Sequence, residues 1–170
     1  MKRVLFIVLS LCLLLSAASC QEKNGATDTD AKEPRPTVSA NEAGIVSHGL
    51  IDETDFPANE QLTEWYVHAM SLENVAGSLI YSKDDTDGLW HCWVYLVSHG
   101  ERDSLTLRAD TSDGLCVILD YKDDPIEDDA LSGAYYFTVR SDVPPEFDLL
   151  VNGEDEGMII THADSTVARG

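Results

Sequence analysis

The chain is predicted to be mainly β within the α+β class, with one N-terminal amphipathic helix packed on an antiparallel sandwich or partial barrel of six to seven strands. Three observations predict it. Short apolar runs recur between Ser78 and His162, each about the length of a strand. Clusters of Asp, Gly, Asn, Ser and Pro separate them, which are the residues that turn a backbone. One segment has helical spacing, and no regular alternation of helices supplies the crossovers that parallel strands need, which disfavours a doubly wound fold.

The helix is expected near Ala58 to Met70. Leu62, Trp65, Tyr66 and Ala69 fall at i, i+3, i+4 and i+7, the single face of an amphipathic helix. Pro57 precedes it, and Glu60, Gln61 and Glu64 would face solvent. Gly77 is a stop signal after Ser71 to Ala76. Ser78 to Ser82 is the first strand, followed by the turn Asp84-Asp85-Thr86-Asp87-Gly88. Leu89 to Val97 comes next, with Trp90, Cys92, Val94 and Leu96 on one face and His91, Trp93 and Tyr95 on the other. Both faces are largely apolar, so this should be a central strand with the helix over one side. Turns at Ser98-His99-Gly100 and Ser112-Asp113-Gly114 bound a strand from Ser104 to Ala109 and open another from Leu115 to Tyr121. An acidic loop, Lys122 to Asp129, precedes Ala134 to Arg140. Pro144-Pro145 leads to Phe147 to Val151, and Asn152-Gly153 is a tight-hairpin signal into a last run near Met158 to His162.

Ahead of this domain lies a different kind of sequence. Lys2 and Arg3 precede an apolar run that extends to Leu15, and Ser16 to Ser19 are small. That order is an export signal, and the run is too short to span a bilayer comfortably. With Cys20 directly after Ala17-Ala18-Ser19, the segment resembles a bacterial lipoprotein signal. The commonest form of that signal has Leu three residues before the cysteine, where this chain has Ala17. The resemblance implies cleavage of residues 1–19, a diacylglycerol on the Cys20 sulfur and often a further acyl chain on the new amino terminus. Two or three chains anchor stably where one does not. The other reading of the segment is a secretory signal cut nearby, with Cys20 an incidental thiol. Gln21 rather than Asp after the cysteine resembles lipoproteins forwarded to an outer membrane. The implied address is therefore the cell membrane or the outer membrane, with an extracytoplasmic domain.

Residues 20–43 read as a lipid-anchored, disordered tether. The 23 residues from Gln21 to Ala43 contain one aliphatic side chain larger than Ala, Val38, too little to offset the entropy of ordering. A flexible stretch of that length spans about 25 to 30 Å root-mean-square. Residues 44–170 form a single strand-rich, acidic domain.

The whole chain carries 11 Lys and Arg against 31 Asp and Glu, a net charge of −20. Without the first twenty residues it is 9 against 31, or −22. Such a field repels phosphate backbones and anionic headgroups, so nucleic acid is excluded as a partner and membrane contact is left to the lipid on Cys20. Of the four cysteines, Cys12 leaves with the signal and Cys20 is lipidated, leaving Cys92 and Cys116. These form either a disulfide, which would restrict the unfolded chain by ~3 kcal/mol, or two reduced thiols in apolar strands. Their number and spacing do not suit structural zinc.

The candidate chemistry is sparse. Asp84, Asp85 and Asp87 invite a calcium reading, but an EF-hand alignment on Gly88 puts Lys83 at position 1 and Val94 at position 12, where acidic ligands are required. An exposed turn explains them better. Asp123, Asp124, Glu127, Asp128 and Asp129 form a second acidic group, read as a solvated loop. Five scattered histidines form no HExxH or HxH, and no nucleophile elbow, P-loop or dinucleotide fingerprint occurs. His91 and Cys92 are neighbours in a strand and point to opposite faces. His91, Trp93 and Tyr95 share a face that is either core or a ligand surface. No catalytic residue, metal or cofactor is therefore assigned. The expected role is a non-catalytic binding or interaction module of the cell envelope, with a protein, peptide or envelope polymer as partner. The alternatives are a small envelope hydrolase using the acidic loops and a purely structural surface module.

Overall fold

The computed structural model describes residues 36–52, 55–97, 105–123 and 133–169. The export segment 1–19, Cys20, most of the expected tether, the turn at 98–100 and the acids Asp124, Glu127, Asp128 and Asp129 lie outside the described residues.

The order of elements is β1 (Val38–Ser39), β2 (Ile45–Ile51), α1 (Glu60–Met70), β3 (Gly77–Lys83), β4 (Trp90–Leu96), β5 (Thr106–Asp110), β6 (Cys116–Tyr121), β7 (Gly133–Val139), β8 (Glu146–Val151), β9 (Glu154–Glu156) and β10 (Met158–His162). They build two five-stranded sheets, β1-β5-β6-β8-β9 and β10-β3-β4-β7-β2. The protein is thus mostly β with a single helix among the described residues, an arrangement compatible with a β-sandwich.

Two features differ from the expected antiparallel sheet. Each sheet is mixed, because β6 pairs with β8 in parallel and β10 pairs with β3 in parallel. The chain leaves the first sheet after β6, runs through the second as β7 and returns as β8. Two crossings restore the original direction, so the returning strand lies parallel to the one it left. Among the described residues there are also ten strands rather than six or seven. The additions are β1 and β2 before the helix and the three-residue β9. Val38 and Ser39, placed by sequence in the tether, pair with Ala109 and Arg108, and Ala40 and Ala43 pack against the core. The Asn152-Gly153 hairpin joins β8 to β9 rather than to β10. Asn152 (φ 55°) and Gly153 (φ 86°) take the left-handed conformations such a turn requires.

One apolar cluster draws Leu79, Cys92, Val94, Leu96, Phe137 and Val139 from the second sheet and Ala109, Val117, Leu119 and Leu149 from the first. A second cluster lies on the opposite face of the second sheet. There Ile80, Trp93, Tyr95 and Tyr136 meet Leu62, Trp65 and Ala69 of α1 together with Ala163 and Val167. The helix starts at Asn59, whose side chain accepts the N–H of Leu62 at 2.9 Å, satisfying one of the open donors of a first turn. The Trp65 indole N–H donates to Ser78 Oγ at 2.9 Å, so the helix is fixed to β3 by a buried polar contact as well as by apolar area.

The segment 163–169 completes this layer. The Trp93 indole N–H donates to the Val167 carbonyl at 2.6 Å, and the Val167 N–H donates to Ser82 Oγ at 2.8 Å. Asn59 Nδ2 donates to the Thr166 carbonyl at 2.9 Å, and Ser165 Oγ donates to Gln61 Oε1 at 2.9 Å. The central strand β4 is consequently buried at all seven positions. No helix among the described residues is long and apolar enough to cross a membrane.

Candidate functional site

The turn between β3 and β4 is closed by the Asp84 N–H donating to the Leu89 carbonyl at 2.9 Å and the Gly88 N–H donating to the Asp84 carbonyl at 2.8 Å. Within it, Asp84 Oδ1 accepts the backbone N–H of Thr86 at 2.8 Å and the Thr86 hydroxyl. These bonds hold the Asp84 carboxyl below its usual range. Asp87 Oδ1 accepts the Leu89 N–H at 2.8 Å. The second Asp87 oxygen, Oδ2, lies 3.0 Å from His91 Nε2. One ligand atom each from Asp84, Asp87 and His91 lies within 4.8 Å of the others.

His91 is only 5% exposed. Its Nδ1 lies 2.5 Å from the Tyr136 hydroxyl of β7. Tyr136 stacks on His48 of β2, with ring centroids 4.8 Å apart, and packs against Trp93 at 4.7 Å. Burial pushes the Tyr136 phenol above its ordinary value, and the backbone N–H of Arg169 pulls the other way. Burial, followed by the charges of Arg169 and His91, holds His48 below the usual histidine value.

The sequence-predicted residues are thus sorted. Asp84 and Asp87 meet, but their third partner is His91, not Asp85, which lies outside the group of ligand atoms. In the row His91, Trp93, Tyr95 the side chains are 5%, 0% and 6% exposed. Trp93 and Tyr95 are core, packed with α1 and residues 163–167, whereas His91 sits between Tyr136 and Asp87. Cys92 and Cys116 are both thiols, not a disulfide. Cys92 belongs to the core between the sheets, whereas Cys116 precedes the inward-facing Val117 and so takes the opposite side of β6. Burial pushes the Cys92 thiol well above its ordinary value.

Sequence reasoning missed the link between the acidic turn and His91. The only local signal was proximity: Asp87 and His91 are four residues apart, and the turn through Gly88 (φ 73°), just ahead of β4, brings them together. Tyr136 sits opposite Trp93 in the β4–β7 register. It carries no local signal, being 45 residues from His91.

A second candidate is the open side of the molecule along β10. Sheet edges invite pairing with other chains, and proteins blunt them with short strands, charges or bulges. Here β1 has two residues, β9 is the exposed run Glu-Asp-Glu, and β2 shifts register between Ser47 and Gly49. By contrast β10 has no Pro, Lys, Asp or Glu, keeps unbroken register with β3, and exposes Ile159 (37%) and Ile160 (45%). Beside it runs a groove of about 220 Å³ lined by Phe147, Leu149, Met158 and Ile160, with Asp148, Asp155 and Glu156 in its wall.

No protein-family model, curated protein or solved structure matches the chain.

Proposed function

We propose that this protein is a non-catalytic, lipid-anchored module of the cell envelope whose domain takes an extended, basic segment of a partner protein along β10. The observation that carries the reading is the unblunted β10 edge beside an apolar groove with an acidic wall. An added strand would draw affinity from main-chain hydrogen bonds and selectivity from alternate side chains entering the groove. The groove chemistry favours a partner that alternates apolar residues with Lys or Arg. A second copy of this chain, at net charge −20, would repel itself. The lipobox-like segment ending at Cys20 supports anchoring in the cell membrane or outer membrane, with the domain extracytoplasmic. In this reading the two sheets pack as a sandwich with α1 on its outer face.

Two measurements test it. Fluorescence anisotropy with a labelled decapeptide of alternating Val and Lys should give saturable binding to the full chain, absent for the Val/Glu counterpart and lost in Ile160→Lys. Equal binding of both peptides, or binding indifferent to Ile160→Lys, refutes the docking edge. Cys20→Ala should move the protein from the membrane to the soluble fraction and abolish lipid labelling. Unchanged retention and labelling refute the anchor.

A further inference from the structure

We propose that Asp84, Asp87 and His91 form a binding site for a divalent transition-metal cation of borderline softness, with Zn²⁺ as its type ion. The site is separate from the β10 groove and does not depend on the docking reading. It is also not the calcium site that the acidic turn suggests. Calcium takes six to eight oxygen ligands, whereas this cluster offers one imidazole nitrogen and two carboxylates. Three protein ligands with a fourth position left for water is the coordination of an open zinc site, and His and Asp are both zinc ligands; the imidazole favours a transition metal over calcium.

The geometry is close to what such an ion needs. Zinc bound at ~2.0–2.2 Å by tetrahedral ligands holds them ~3.3 Å apart. Asp87 Oδ2 and His91 Nε2 are already 3.0 Å apart, and all three ligand atoms lie within 4.8 Å of one another. The remaining closure falls to Asp84, on a turn of exposed residues, while His91 belongs to the fully buried strand β4. The site thus combines a nitrogen on a buried strand with a carboxylate on the turn, one oxygen of which Thr86 already holds.

The observation that takes this beyond a pair of acids near each other is the His91 ring itself. It is 5% exposed, aims Nε2 out of the core toward the carboxylates and presents Nδ1 to the Tyr136 hydroxyl at 2.5 Å. Histidines that ligate through one nitrogen are held at the other by such a partner, which fixes both tautomer and ring orientation. Tyr136 is itself held by the stacked ring of His48 and by Trp93. A cation on Nε2 requires the neutral ring with its single proton on Nδ1, so a proton on Nε2 must give way and Nδ1 must carry the ring's one N–H. That N–H then donates to the Tyr136 hydroxyl oxygen, which lies within hydrogen-bond distance.

Isothermal titration of the full chain with ZnCl₂ and CaCl₂ decides the matter. The expected result is one equivalent of Zn²⁺ bound at least tenfold tighter than Ca²⁺. Asp84→Asn and Asp87→Asn should each weaken Zn²⁺ at least tenfold with the far-ultraviolet circular dichroism unchanged, since both lie on the turn outside the core. Tyr136→Phe, which keeps every ligand and removes the orienting hydroxyl, should weaken it about tenfold. Zn²⁺ affinity unchanged in Asp84→Asn overturns the proposal and leaves Asp87–His91 a structural contact. Ca²⁺ bound as tightly as Zn²⁺, or no Zn²⁺ binding, overturns it as well.

Discussion

The two sheets solve the same burial problem under different conditions. The second sheet is covered on both faces, by the first sheet on one side and by α1 with residues 163–167 on the other, and its middle strands read as near-continuous apolar sequence. In the first sheet β5 alternates, with Leu107 and Ala109 inward and Arg108 and Asp110 partly exposed between them. Its outer face carries the Arg108–Asp120 ion pair at 2.6 Å, both side chains about a third exposed. The number of covered faces, rather than β propensity, sets the pattern of each strand. Substitutions should therefore cost most where two layers meet a strand.

The sharpest way to break this contrast is Trp93→Ala. It empties a fully buried site on the doubly covered β4 and leaves the Val167 carbonyl without its indole donor. The expected loss is about 3–5 kcal/mol in denaturant unfolding. Asp120→Asn on the open face of the first sheet should cost less than about 1 kcal/mol. Equal losses at the two sites would contradict the contrast.

A smaller effect tests the helix that covers the second sheet. Asn59→Ala removes the cap on Leu62 and the bond to the Thr166 carbonyl, and should cost about 1–2 kcal/mol in thermal or chemical unfolding. A loss confined to a few tenths would mean that the layer is held by apolar packing alone.

The smallest effect is carried by the two thiols. Cys92 lies between the sheets with its pKa pushed up by burial, so the native state keeps a proton that the unfolded thiol releases near its ordinary value. The unfolded state then binds fewer protons, and stability falls as pH rises above about 9, at up to ~1.4 kcal/mol per pH unit for this group. Cys92→Ala should flatten that alkaline fall relative to the unsubstituted chain. A thiol reagent at pH 8 should label the half-exposed Cys116 well before Cys92; equal rates would place the second thiol outside the core.

The same contrast explains what could be read from sequence. Leu89 to Val97 shows its central position because both of its faces are apolar. The helix residues Leu62, Trp65, Tyr66 and Ala69 show one face; Leu62, Trp65 and Ala69 are buried and Tyr66 is half-buried at its edge. The parallel pairings leave no local trace, since they follow from the order in which the chain visits the two sheets. β2 hid because its register shifts between Ser47 and Gly49, which breaks the two-residue alternation a strand is recognised by. β9 hid because an edge blunted with acids lacks an apolar face. At the candidate metal site, Asp84 and Asp87 are legible as a turn with His91 just beyond it, but the support of His91 by Tyr136 comes from β7 through tertiary packing.

The segment over Trp93 also bears on how the chain folds. Its hydrogen bonds join residues 74, 85, 104 and 107 positions apart. Closing loops of that length costs entropy before any contact returns it, so folds that depend on such links reach their native state slowly. The helix-side layer should be the last to acquire protection against amide hydrogen exchange. Until it does, the Trp93 and Tyr95 face stands open, the interval in which a protease or a chaperone has most to grip.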